Sequence, residues 1–255
     1  MSGDLRQAAA DAIGAPGTPE GLWASWEALR RLPAVGVPDG PVVVVAAHPD
    51  DEVLGFGGTM ARLAALGTDV HLVSITDGEL SHPRSTLITA ERLAEVRHAE
   101  LRTALADLGL PHVHTERLRV PDTRVDQHES AVAGRIATLL REVGAALCVA
   151  PWARDLHSDH EAAGRAAGRA CQDSGVPLWT YPVWMWHWSR PGDPRVPWHD
   201  AVRLTLPAEA LARKTSAIGQ FVSQIHALGE GEENAAILPP EEVEHHTRPF
   251  EVVFR

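Results

Sequence analysis

Apolar residues along the chain fall into short unbroken runs, separated by longer stretches in which they recur at helical spacing. The run Val42 to Ala46 contains no polar residue, as expected of a strand buried on both faces. Similar runs predict strands over 70–76, 112–120, 145–150 and 178–183. Between them the pattern is helical over 52–66, 88–108, 128–143 and 160–173. In 88–108, for example, Leu93, Val96, Leu101, Ala104 and Leu108 lie near 3.6-residue spacing, and Gly109 supplies the stop. Strictly alternating strands and helices predict an α/β fold: a Rossmann-like, doubly wound, mostly parallel sheet with helices on both faces.

Flanking segments read differently. Two short amphipathic helices over 4–13 and 19–31, the second opened by Thr18-Pro19, form a lead-in that ends in a proline-rich linker over 33–41. Beyond 183 the pattern gives a strand over 201–206, a helix over 207–224, an acidic loop over 229–244 and a closing strand over 250–254. One domain is expected over 1–255, with a lead-in (1–40), an α/β core (41–183) and a smaller C-terminal αβ extension (184–255) that shapes the substrate site.

Composition narrows the function classes. The 255 residues carry 23 basic and 34 acidic side chains, a net charge of −11 with His neutral. That disfavours a nucleic-acid partner, whose binding rests on neutralising phosphates. The two cysteines, Cys148 and Cys171, lie in apolar surroundings and read as buried free thiols. No apolar stretch reaches the roughly 20 residues needed to span a bilayer, and the first residues lack the basic-then-apolar order of a signal peptide. A cytoplasmic protein acting on a small molecule, alone or as a homo-oligomer, is the expectation.

Two predicted strand ends carry dense polar clusters: His48-Pro49-Asp50-Asp51-Glu52 and His157-Ser158-Asp159-His160. In a parallel sheet both lie on one edge, where open α/β sheets place their ligands. His48 and Asp51, three apart at a strand-to-helix turn, can point into one cavity, and His160 completes a two-imidazole, one-carboxylate set. Catalytic Zn2+ takes such a set and keeps a position for water; Fe2+ or Co2+ would also suit it. Asp50 is left as a candidate general base. His157, paired with Asp159, is a candidate proton or hydrogen-bond donor. Glu52 reads as the start of the helix.

Ala47-His48-Pro49-Asp50-Asp51-Glu52 together with His157-x-Asp159-His160 resembles the signature pair of the LmbE-like, or PIG-L, family of zinc-dependent N-deacetylases. The resemblance spans about residues 40–190. Arg97-His98-Ala99-Glu100-Leu101 and the segment from Lys214 to Gln224 resemble further family segments more weakly. It implies His48, Asp51 and His160 as zinc ligands, Asp50 as base, and protonated His157 as the oxyanion-stabilising group oriented by Asp159. Arg97 and Asp122 would contact the sugar. Ser158 stands where proline is common in the family, a departure that touches loop rigidity.

The activity so implied is removal of an N-acetyl or N-acyl group from an N-acetylglucosaminyl-type conjugate by a zinc-activated water. Alternatives are an amidase acting on a mycothiol-type conjugate, or a catalytically silent carbohydrate-binding relative. A metal-dependent phosphoesterase would want a second metal and more bridging acids. Gly55-x-Gly57-Gly58 does not match a dinucleotide loop, and the acids before it would repel a pyrophosphate. In Trp184-Met185-Trp186-His187-Trp188 strand alternation would give core packing. The loop signal of Ser189-Arg190-Pro191-Gly192 favours an aromatic substrate wall containing Trp186, and with it a decorated sugar.

Overall fold

The computed structural model describes residues 12–255, so the expected helix over 4–13 lies almost wholly outside the described residues. Seven strands form one sheet: β1 (Val42–Ala46), β2 (Val70–Ser74), β3 (His114–Arg117), β4 (Leu147–Pro151), β5 (Leu178–Tyr181), β6 (Ala201–Thr205) and β7 (Phe250–Phe254). Their order is β3-β2-β1-β4-β5-β7-β6. The first five are parallel; β7 runs antiparallel to both β5 and β6.

The apolar run at 42–46 does what its pattern predicts. Val42, Val44 and Ala46 pack into a core with Phe56, Met60, Leu101 and Ile218. Val43 and Val45 enter a second core, with Ile136, Leu140, Ala163 and Ala167, on the other face. The first face carries α1 (Asp51–Ala65), α2 (Ala90–Asp107) and α3 (Ala208–Ile218); the second carries α4 (Glu129–Glu142) and α5 (Ser158–Ser174). None of the helices among the described residues is long and apolar enough to cross a membrane.

The glycines of α1 let it approach closely. A Cβ on Gly55 would lie 2.1 Å from the Tyr181 ring, and one on Gly58 would lie 2.4 Å from Leu206. They serve packing, which agrees with the rejection of a dinucleotide loop. Buried Lys214 on α3 ties this corner together, donating to the Leu54 carbonyl at 2.8 Å and to Glu251 at 2.7 Å. Glu251 in turn accepts from the backbone amides of Gly58 and Thr59.

The expected helix over 19–31 is two short pieces, Glu20–Ser25 and Glu27–Arg30, parted by Trp26 in an extended conformation. The helix expected over 207–224 ends at Ile218 and resumes as one turn, Val222–Ile225. Gly219-Gln220-Phe221 lies between the two pieces.

Candidate metal centre and cavity

The order β2-β1-β4 makes β1 and β4 the point at which the winding reverses, and both polar clusters sit at the carboxyl ends of these two strands. At the end of β1 the chain turns through Asp50 at φ 148°, a conformation L-residues rarely adopt. Two further loops here hold non-glycine residues at positive φ, Thr123 at 67° and Leu156 at 65°. Asp51 then opens α1, and its carboxylate accepts the His48 amide at 2.8 Å. The other cluster opens α5, with His157 just before its first residue.

The clusters meet. Asp51 lies 3.4 Å from His48 Nδ1 and 3.1 Å from His160 Nε2. The His157 ring centroid is 4.8 Å from that of His48 and 4.6 Å from that of His160. Arg97 reaches over from α2 and donates to Asp50 and to the Pro49 carbonyl, both at 2.9 Å, and to the Gly78 carbonyl at 3.0 Å.

Burial and charge sort these groups. Burial would lower the pKa of His48, but Asp122, Asp159 and Asp51 hold it well above the usual imidazole range. Burial likewise opposes protonation of His160, yet Asp51 and Asp155 push it up to about 9. For Asp51 burial is outweighed by the His160 and His48 rings, which pull the carboxyl well below its ordinary range. Burial raises Asp50 to about 6 against the pull of Arg97. His157 moves well down, through burial and then its two imidazole neighbours, a direction that favours the neutral ring over the protonated form expected from the sequence.

The donor set fits a divalent cation. One ligand atom from each of His48, His157 and His160 lies within 4.8 Å of the others. Asp51 brings a carboxylate to two of these rings. The outward nitrogens of the two flanking imidazoles are braced by acids, as is usual for metal-bound histidines. His48 Nε2 is 3.2 Å from Asp122 and 3.3 Å from Asp159; His160 Nδ1 is 2.8 Å from Asp155. A second grouping, His48 with Asp122 and Asp159, shares His48 with the first.

Residues 43–171 match the model of the PIG-L family, described as GlcNAc-PI de-N-acetylase. The chain belongs to the PIG-L family. Among its relatives, the 1D-myo-inositol 2-acetamido-2-deoxy-alpha-D-glucopyranoside deacetylase of Rhodococcus opacus is 28% identical, aligned over 80% of this chain and 89% of that protein. The enzyme of the same description from Nocardioides sp. is 45% identical over 78 residues, which cover 28% of this chain and only 26% of the relative's length. Of the solved structures, the conserved protein TT1542 from Thermus thermophilus superposes with a TM-score of 0.59 at 26% identity, covering 80% of this chain and 84% of that one. Sheet and helices thus follow the PIG-L α/β architecture.

Arg97 and Asp122 line the cavity as expected, and each also holds a partner within the protein: Arg97 donates to Asp50, and Asp122 meets His48 and accepts the Leu80 amide. Asp159 turns away from His157. In the first turn of α5 it faces His48 and accepts the amides of Thr123 at 2.7 Å and Val125 at 3.2 Å. Glu52 lies in the first turn of α1, one residue after its start at Asp51, and is fully buried without a side-chain hydrogen-bond partner; burial pushes its carboxyl up to about 8.

Trp186 is not a substrate wall. It is 3% exposed, stacks edge-on against Trp23 with ring centroids 5.1 Å apart, and lies under Arg248, whose guanidinium is 4.0 Å from the ring centroid. Residues Met185–Trp188 form one helical turn, so Trp184 faces the cavity while Trp186 points into the tryptophan cluster. Trp186→Ala is therefore expected to cost about 3–5 kcal/mol of stability. Chemical denaturation measures this loss, and the Michaelis constant of the surviving folded enzyme should stay near wild type.

Asp155 was missed. Within the strand-to-helix loop it reads as one more loop acid. In the structure it is fully buried and accepts the backbone amides of Val183, Trp184 and Met185 besides meeting His160. One carboxylate thus orients an imidazole and pins the chain leaving β5. Asp155→Asn should weaken metal binding by roughly 10–100-fold, as outer carboxylates behind metal-bound histidines do. Competition against a chromogenic chelator would show it; unchanged affinity would remove Asp155 from this role.

Proposed function

We propose that this chain is a metal-dependent N-deacetylase acting on an N-acetylglucosaminyl-type conjugate, with His48, Asp51 and His160 as the metal ligands. The observation carrying this reading is the buried cluster of those three side chains beside Asp50, a carboxylate held by Arg97 and left out of the ligand set. A divalent ion such as Zn2+ held there supplies Lewis acidity, polarising a carbonyl and lowering the pKa of water towards roughly 7. Fe2+ or Co2+ can fill the same donor set.

The chain's own residues account for the proton movements. Asp50 accepts a proton from the water that attacks the acetyl carbonyl carbon, and its raised pKa suits a base working near neutrality. Arg97 fixes the carboxylate's direction. Neutral His157, whose Nδ1 has no hydrogen-bond partner, lines the cavity and donates an N–H to the oxygen on which negative charge develops. Asp50 then returns its proton to the departing nitrogen. The C–N bond breaks, and acetate and a primary amine leave.

The activity for which the relatives are named, deacetylation of a 2-acetamido-2-deoxy-glucopyranoside of myo-inositol, supports the amino-sugar class for this chain. The test is incubation of metal-loaded protein with N-acetylglucosaminyl conjugates, measuring acetate and primary amine in parallel. Equal release of both, abolished by a chelator and restored by divalent metal, is the expected result. Phosphate release from phosphoesters without amide cleavage would overturn it.

A further inference from the structure

The cavity above the cluster has a volume of about 620 Å³, more than an N-acetylated sugar alone fills. Its floor is polar, made of His48, Asp50, Asp51, His157 and His160. Its walls are not. Val183 and Trp184 come from the chain after β5, Ile237, Leu238 and Pro239 from the loop before the last short helix, and Leu80 from the loop after β2. Several polar groups in these walls are already engaged. Ser81 pairs with Gln224, and His187 lies between Glu242 and the Ala15 carbonyl. Exposed Glu241 is the remaining acid.

We infer that the walls receive an apolar aglycone, so that the conjugate this chain deacetylates carries an alkyl or aryl group on the amino sugar and not a polyol. The inference rests on the deacetylase reading above. A cyclitol brought against Val183, Trp184, Ile237 and Leu238 would lose water from its hydroxyls and find few free partners, a desolvation without compensation. An alkyl chain or aromatic ring there removes its own apolar surface and that of the walls from water, which is favourable for both. The same segments bond to one another across the cavity: Leu238 N donates to the Gln224 carbonyl, and His82 Nε2 lies 3.1 Å from the Ala235 carbonyl. The apolar wall is thus held in place before any ligand arrives.

The experiment compares metal-loaded enzyme on three N-acetylglucosaminides: the hexyl glycoside below its micellar concentration, the methyl glycoside, and the myo-inositol conjugate. The expected result is a kcat/KM for the hexyl glycoside at least about tenfold above the other two, roughly the effect of burying two methylenes. In Ile237→Ser and Trp184→Ala proteins that ratio should narrow. Equal or better turnover of the inositol conjugate would overturn the inference while leaving deacetylation intact. Hydrolysis of none of the three would overturn both.

Discussion

Asp50→Asn is expected to lower kcat by about two to four orders of magnitude, the usual worth of a positioned general base, while leaving metal content unchanged. The substitution keeps the shape and the hydrogen bond from Arg97 but removes the oxygen basicity that accepts the water proton. In the proposed site Asp50 stands outside the ligand set, its carboxylate turned to Arg97 at 2.9 Å while Asp51 turns to the two imidazoles. Metal analysis and steady-state kinetics on the same preparation separate the two carboxylates. Metal loss equal to the activity loss would make Asp50 a ligand and leave the reaction without its base.

His160→Ala is expected to have the opposite signature, with metal lost and turnover falling to background with it. His160 Nε2 is 3.1 Å from Asp51, and its other nitrogen rests on Asp155. In the proposed centre, removing the ring takes away a ligand and leaves the Asp51 and Asp155 carboxylates without the imidazole between them, so the cluster loses metal affinity. Circular dichroism would show that the fold survives. A folded His160→Ala protein that still holds stoichiometric metal and turns over would exclude His160 from the centre.

Much of this was legible locally. Val42 to Ala46 carries the mark of a strand covered on both faces, and the strand-to-helix turn after it places His48 and Asp51 together. His157 and His160 followed from the parallel order of the sheet, which sets the ends of β1 and β4 side by side. What escaped depends on direction within a helical turn or on partners distant in sequence. Asp159 sits two residues after His157, and in the first turn of α5 that spacing sends it toward the loop at 123–125 instead of its neighbour. Trp184 and Trp186 share a face in a strand but part in a helix, and nothing in the run itself decided between the two. Arg97 could be expected at the site by resemblance, yet its grip on Asp50 spans 47 residues and is a property of the packed fold. Asp155 and Glu52 are acids buried by elements on either side of them, a state that composition cannot announce.

The proposed roles all depend on a single metal centre formed by His48, Asp51 and His160, with Asp50 beside it. Anomalous scattering at the absorption edge of the loaded metal, from crystals of the zinc-loaded protein, tests that claim most directly. One peak per chain is expected at about 2.0–2.2 Å from His48, Asp51 and His160, with Asp50 outside the coordination shell. A peak held instead by His48, Asp122 and Asp159, or one that includes Asp50, would contradict it.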